Sequence, residues 1–323
     1  MKLLVTGGAG FVGSHLIDAL LADGHEVTAL DDLSTAHPRN LEAARSSSAF
    51  NLVEGSILDR KLVQKLVTTH EGCFHLAAAL GVERIIERPI QSMEINIQGS
   101  EIVLAACAQA GIRTLVTSTS EIYGKSPDVP LTEESDRVLG SPLKSRWTYS
   151  EAKAIEEAYA MVLHQQQGLS MVIARLFNTV GPRQTGAYGM VVPRFIDAAL
   201  KGAPLKVHGD GNQSRVFCHV ADATKALCQL FFETGINGEA VNVGGVGEIS
   251  IIELARKIIH QLSSESTIDL IPYADAYGKG FEDMQRRVPS IDKAKELIGW
   301  HPVNELESII DDVAQYIRTY GES

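Results

Sequence analysis

The chain has no apolar run approaching the roughly 18 residues that a membrane-spanning helix needs, and none of its four cysteines sits in a CxxC pair. Cys73, Cys107, Cys218 and Cys228 lie far apart, so neither a disulfide framework nor a zinc site is expected, and buried free thiols are. Positive charge is also scarce. Twenty-nine Lys and Arg against 40 Asp and Glu give a net charge of −11. Nucleic acid and anionic membrane both select for a basic face, so neither is expected as a partner. Repeats and low-complexity stretches are missing, and Met1–Thr6 runs into glycines too soon to supply a signal-peptide apolar region. What remains is 323 residues with a hydrophobic fraction of 45%, enough for one large α/β unit or two joined lobes. The expectation is a soluble, cytoplasmic, enzyme-sized protein without a metal centre.

Short β-rich runs alternate with helical patterns along the first half. Lys2–Thr6, Glu26–Leu30, Phe50–Val53, Cys73–Ala77, Thr114–Ser118 and Ser170–Leu176 read as strands. Phe11–Ala22, Ile95–Ala110 and Tyr149–Gln167 read as helices. This alternation predicts an α/β fold, a Rossmann-type doubly wound parallel sheet covered on both faces. After Asn178, Gly, Pro and Arg become frequent, with helices expected at Val192–Leu200, Ser250–Gln261 and Ser290–Ile298. The division expected is residues 1–177 as the sheet domain and 178–323 as a smaller C-terminal lobe, part of it returning to the first.

Gly7, Gly10 and Gly13 stand at GxxGxxG spacing between the first strand and the first helix. Small residues there let backbone N–H groups and the helix N-terminus approach a pyrophosphate. Asp31 closes the next strand, where a carboxylate accepts hydrogen bonds from the adenine-ribose hydroxyls and repels a 2′-phosphate. NAD is therefore expected rather than NADP.

Of the eight tyrosines, only Tyr149 has a lysine four residues later, Lys153. On a helix the two share a face, and Thr148 with Glu151 has capping-box spacing. A nearby ammonium lowers a phenol's pKa, which suits Tyr149 to take a proton from a substrate hydroxyl during hydride transfer. Upstream, Thr119, Ser120 and Glu121 end a strand at the carboxyl edge of the sheet, where ligands bind in this architecture. A hydroxyl there can share the tyrosine's proton, and a carboxylate can act on a neighbouring carbon.

Taken in order, these runs resemble one family. The glycine turn, Asp31, His75-Leu76-Ala77-Ala78, Thr119–Gly124, Tyr149-x-x-x-Lys153, Arg175-x-x-Asn178-x-x-Gly181-Pro182-Arg183, Ser290–Lys295 and Gly299-Trp300-His301-Pro302 are similar to the extended short-chain dehydrogenase/reductase superfamily, in its nucleotide-sugar epimerase, dehydratase and decarboxylase group. The resemblance implies tightly held NAD, a C-terminal lobe for a nucleotide sugar, usually UDP-linked, and a homodimer through helices near Ile95–Ala110 and Tyr149–Gln167. It implies NAD contacts at Gly7, Gly10, Phe11, Val12, Gly13, Asp31, Ser56, Ile57, Leu76, Ala77, Ala78, Tyr149 and Lys153. Ser56 stands where relatives often carry Asp, which implies weaker adenine contacts. Substrate contacts are implied at Asn178, Arg183, Val192, Arg215 and Arg287.

Members of the group begin by oxidising the sugar C4 hydroxyl to a 4-keto sugar. Dehydratases usually read Thr-Asp-Glu where this chain has Thr119-Ser120-Glu121, so dehydration is disfavoured. The triplet is similar to that of UDP-glucuronate decarboxylases. Arg146-Trp147-Thr148-Tyr149, Tyr277–Asp283 and Arg286-Arg287-x-Pro289-Ser290 resemble one decarboxylase branch, in which the arginine matching Arg287 is implicated in acid catalysis. Thr119, Ser120, Glu121, Tyr149, Lys153 and Arg287 are then the expected catalytic residues. Gly186–Pro193 and Gly211–Arg215 resemble 4-epimerases equally, and in an epimerase Arg215 and Arg287 would only clamp the diphosphate. Decarboxylation is preferred narrowly, with 4-epimerisation of a UDP-sugar as the alternative and a non-catalytic dinucleotide-binding role least favoured. His75, His208 and His219 read as structural.

Overall fold

The computed structural model describes residues 1–79, 89–186, 190–277, 282 and 284–321. Its first half runs β1 (Lys2–Thr6), α1 (Phe11–Ala22), β2 (Glu26–Asp31), β3 (Phe50–Glu54), α2 (Arg60–Val67), β4 (Gly72–His75), α3 (Ser100–Ala110), β5 (Arg113–Thr119), α4 (Thr148–Gln167) and β6 (Met171–Leu176). The second half continues with α5 (Val191–Leu200), β7 (Leu205–His208), β8 (Ser214–Arg215), α6 (Val220–Phe232), β9 (Glu239–Val243) and β10 (Ile249–Ser250). It ends with α7 (Ile251–Gln261), β11 (Ile268–Ile271), β12 (Arg286–Arg287), α8 (Asp292–Ile298) and α9 (Leu306–Tyr320).

Seven strands form one parallel sheet in the order β9-β6-β5-β4-β1-β2-β3. The chain leaves β1 toward β3 on one side and runs from β4 to β6 on the other. The crevice therefore opens at the carboxyl ends of β1 and β4. This is the doubly wound sheet expected from the alternating pattern, and its strands are apolar because both faces are covered. On one face Leu16, Ile17 and Leu20 of α1 meet Leu227, Leu230 and Phe231 of α6, with the Phe74 and Phe231 rings stacked 4.2 Å apart. On the other, Val103 and Cys107 of α3 pack with Ala160 and Leu163 of α4. Each such large side chain, fully buried, contributes about 1.5–3 kcal/mol relative to an exposed one. A second core joins α5, α7 and α9 through Phe195, Ile196, Leu254, Ile258, Ile310 and Val313. Beside it β10, β8 and β12 make a small sheet, in which Arg215 and Arg287 are register partners.

Several elements differ from the sequence reading. β4 ends at His75 rather than Ala77, because the chain must leave the sheet to lie over the glycine turn. Gly7, at φ +69°, approaches so closely that an added Cβ would stand 2.7 Å from the Ala77 nitrogen. The helix expected at Ile95–Ala110 begins as a π-turn over Glu94–Gly99. That turn presents Asn96, whose side chain bonds both the N–H and the carbonyl of Ala79. α4 has no capping box. The chain enters it through a 3₁₀ turn, Ser145–Trp147, so Thr148 is already helical and its hydroxyl donates to the Ser145 carbonyl. α2, α6 and α9 were not foreseen. Residues 220–243 return to the first sheet, α6 beneath it and β9 beside β6.

Candidate active site

A cavity of about 730 Å³ lies along the carboxyl edge of the sheet. Its first end is made mainly of backbone. Gly7, Gly10, Phe11, Val12 and Gly13 form the turn, and α1 begins at Gly10 with no side-chain cap and no acidic residue in its first turn. The first N–H groups of that helix thus face the cavity without a protein acceptor of their own. Gly13 is obligatory here, since a Cβ would stand 2.2 Å from the Gly7 carbonyl oxygen. Asp31 is oriented by the N–H groups of Ala9 and Leu33, each donating at 2.9 Å. Burial raises its carboxyl above the ordinary value, and these hydrogen bonds offset part of the rise. Ser56, Ile57, Leu76, Ala77 and Ala78 line the same end. The Ser56 hydroxyl already accepts from the Leu58 N–H at 3.2 Å.

In the middle stand Thr119, Ser120, Glu121, Tyr149 and Lys153, all on the cavity wall. β5 delivers the first three, and α4 stacks the last two one turn apart. The Lys153 Nζ is buried and donates to Glu156 Oε2 at 2.5 Å. This changes the electrostatics expected of the pair. Burial raises the Tyr149 phenol well above its ordinary value, and the carboxylates of Glu121 and Glu156 raise it further. The hydrogen bond with Thr119 opposes them. Lys153, one turn on, is itself paired with Glu156.

The far end is made of side chains. Glu121, 17% exposed, receives Arg146 on both oxygens and the Arg287 Nη1 on Oε1 at 3.0 Å. Arg287 also donates to the Asn178 side-chain oxygen at 2.6 Å, and Asn178 is fixed by donating to the Val216 carbonyl at 2.8 Å. Burial would push the Glu121 carboxyl up, but the two guanidiniums overturn that and hold it at about 2. The two guanidiniums thus favour the ionised form of Glu121. Arg215, Val192 and Arg183 also line the cavity. The Arg183 guanidinium pairs with Asp18 of α1 at 2.7 Å.

Comparison with known proteins decides the family. The model of the NAD dependent epimerase/dehydratase family matches residues 3–244. The chain belongs to that family. It is 39% identical to the UDP-N-acetyl-alpha-D-glucosaminuronate decarboxylase of Bacillus cytotoxicus, over 98% of both chains. It is 36% identical to the UDP-glucuronic acid decarboxylase 1 of Danio rerio, over 98% of this chain and 72% of that one. Among solved structures, the UDP-glucose 4-epimerase of Thermotoga maritima with UDP-glucose superposes with a TM-score of 0.88 at 29% identity, covering 99% of each chain.

The residues present suit the family's NAD. The glycine cradle would be filled by a single Cβ, and Asp31 is aimed by backbone. The buried Ser118 hydroxyl and Thr179 hydroxyl border the cavity with no hydrogen-bond partner among the described residues. Sequence reasoning missed Arg146 and Asn40. Arg146 was visible only as part of a family-like run, although its place three residues before Tyr149 puts it one turn below the phenol. Asn40, whose amide donates to the Ala9 carbonyl at 3.0 Å, had no signal. Glu282, from the Tyr277–Asp283 run, pairs with Lys125 at 3.0 Å and accepts from the Trp147 indole N–H at 3.2 Å. It ties the turn carrying Arg146 to the segment carrying Arg287. Residues 278–281 and 283 of that run lie outside the described residues. So do 80–88 and 187–189.

Proposed function

We propose that this protein is a NAD-dependent decarboxylase of a UDP-linked hexuronate, UDP-glucuronate or its 2-acetamido counterpart. One observation carries the reading: two guanidiniums, Arg146 and Arg287, converge on the single carboxylate of Glu121. Both guanidiniums stand beside the catalytic pair. A sugar 6-carboxylate is the planar anion that guanidinium forks recognise, whereas the neutral hexose of an epimerase offers them none. The names of the relatives support the same class.

When bound, NAD supplies the acceptor for the hydride leaving sugar C4. Tyr149 removes the C4 hydroxyl proton, Thr119 shares it, and Lys153 stands behind the phenol. The 4-ketone makes the 6-carboxylate a β-keto acid. As its C5–C6 bond breaks, the electron pair moves to the ketone oxygen, CO2 leaves, and the enolate is protonated at C5. Arg287, Ser120 and Arg146 hold the carboxylate, Glu121 holds the arginines apart, and Asn178, Val192 and Arg215 take the rest of the nucleotide sugar. Ile155 and Val162, both exposed and seven residues apart on α4, form an apolar stripe suited to a homodimer through α3 and α4. Unpaired thiols and the net charge of −11 suit a cytoplasmic setting without membrane or nucleic-acid partners. Among the described residues no helix is long and apolar enough to cross a membrane.

The test is incubation of the NAD-loaded protein with UDP-glucuronate, UDP-N-acetylglucosaminuronate and UDP-glucose, with products read by mass spectrometry and proton NMR. Loss of CO2 from either uronate is expected. Conversion of any of the three to an isomer of unchanged mass, with no CO2, replaces this reading by 4-epimerisation.

A further inference from the structure

Glu156 is a buried carboxylate that the reaction scheme leaves without a task. It sits on α4 three residues beyond Lys153, with its side chain 1% exposed. One oxygen takes the Lys153 ammonium at 2.5 Å. The other faces His75 Nε2 at 3.7 Å, and that ring is held between the Thr6 and Ser100 hydroxyls at 2.7 and 3.0 Å. Burial, and then the charge of Lys153, push the His75 imidazole down to about 3, so it stays neutral and cannot serve as the counter-ion. Lys153 is therefore the cation that Glu156 has, and Glu156 is the acid that Lys153 has.

A carboxylate buried next to a lysine is costly unless the pairing is tight. An apolar residue would close the same space between α3 and α4. We propose that Glu156 is a positioning residue for proton abstraction, acting through Lys153: it holds the ammonium one turn behind Tyr149 and sets how much of that charge the phenol feels. The inference rests on the proposed role of Tyr149 as base, which decarboxylation and epimerisation share.

The field at the phenol is the sum of a few groups that can be named. Glu121 faces it from the turn after β5, already matched by Arg146 and Arg287. Lys153, Glu156 and Glu157 come from α4, and Glu157 is committed to Arg175 at 2.8 Å. His75 of β4 is neutral, and Ser100 of α3 is uncharged. Glu101 and Tyr159 share with Glu156 a small cavity of about 120 Å³ on the outer side of the two helices. Of the negative groups, Glu156 is the one paired with Lys153, the cation one helical turn from Tyr149. Removing its charge, with the shape kept, leaves the ammonium to act on the phenol uncompensated. The phenol should then ionise more readily.

The experiment is an ultraviolet titration of the NAD-bound enzyme, in which native minus Tyr149→Phe isolates the tyrosinate signal of Tyr149. The same difference is taken in Glu156→Gln. The expected result is ionisation of Tyr149 at a pH lower by at least about one unit in the glutamine background. The acidic limb of the pH profile for cofactor reduction by substrate should move the same way. Glu156→Asp, which restores the charge, should return the midpoint most of the way to native. Glu156→Leu carries the same expectation as Glu156→Gln if the glutamine variant does not fold. A midpoint that stays put or rises in the folded variants overturns the proposal, whatever their activity. If instead Tyr149→Phe retains turnover, the assignment of the base is at fault, and the titration still reads Glu156.

Discussion

The two ends of the cavity are built from different materials. The dinucleotide end is made mainly of backbone from residues 7–31, with N–H groups, a helix terminus and one aimed carboxylate, bordered by Ser56, Ile57 and residues 76–78. The far end is made of side chains brought from the turn after β5, the turn before α4, the loop after β6 and β12, and held by charge. Backbone geometry is set by small residues at fixed spacing, so the first end can carry one ligand shape across many reactions. A charge cluster depends on every member, so the second end can change its chemistry through one or two substitutions. The family's shared fold and divided reactions follow from that contrast.

Variants can break or sharpen the contrast. Tyr149 stands where the two ends meet, and its loss should have the largest effect. Tyr149→Phe should cut turnover by at least about 10²–10⁴-fold while the protein still purifies with NAD, as read by cofactor content and steady-state rate. Normal turnover in that variant would remove the mechanism at both ends. The effect of Asp31→Ala should be smaller and confined to one end. Losing a charged hydrogen-bond acceptor should weaken NAD binding by about tenfold or somewhat more, with the reaction of saturated enzyme little changed. Unchanged affinity, measured by calorimetry on the stripped protein, would take the ribose contact away from Asp31.

The same contrast explains how much was legible in the sequence. Six of the seven sheet strands, the helices α1, α3 and α4 and the dinucleotide end could be read because glycine spacing and apolar periodicity are local signals. Tyr149 and Lys153 could be read because four residues is one helical turn. Arg287 and Glu121 were found through resemblance. Nothing in spacing says that residues 121, 146 and 287 converge, because their meeting depends on β12 pairing with β8 and on Glu282 bridging to Trp147. Glu156 was invisible for another reason. Beside Glu157 and Glu151 it looks like one more charge on a solvated helix face, and only packing of α3 over α4 turns it inward. Burial and the carboxylates of Glu121 and Glu156 raise the Tyr149 phenol, an effect that the four-residue spacing to Lys153 does not display. The ion pair of Arg183 with Asp18 was equally illegible, because the two lie 165 residues apart in the chain.

Glu121→Gln tests the central claim most directly, because it alters the far end and spares the other. The variant would be mixed with carboxyl-labelled UDP-uronate, following cofactor reduction by absorbance and labelled CO2 by mass spectrometry in the same reaction. With the clamp's anion gone and Tyr149 intact, the account predicts that the cofactor is still reduced while CO2 release falls by at least about 100-fold. CO2 release at the native rate would contradict it and leave Glu121 as a structural ion pair beside a reaction it does not direct.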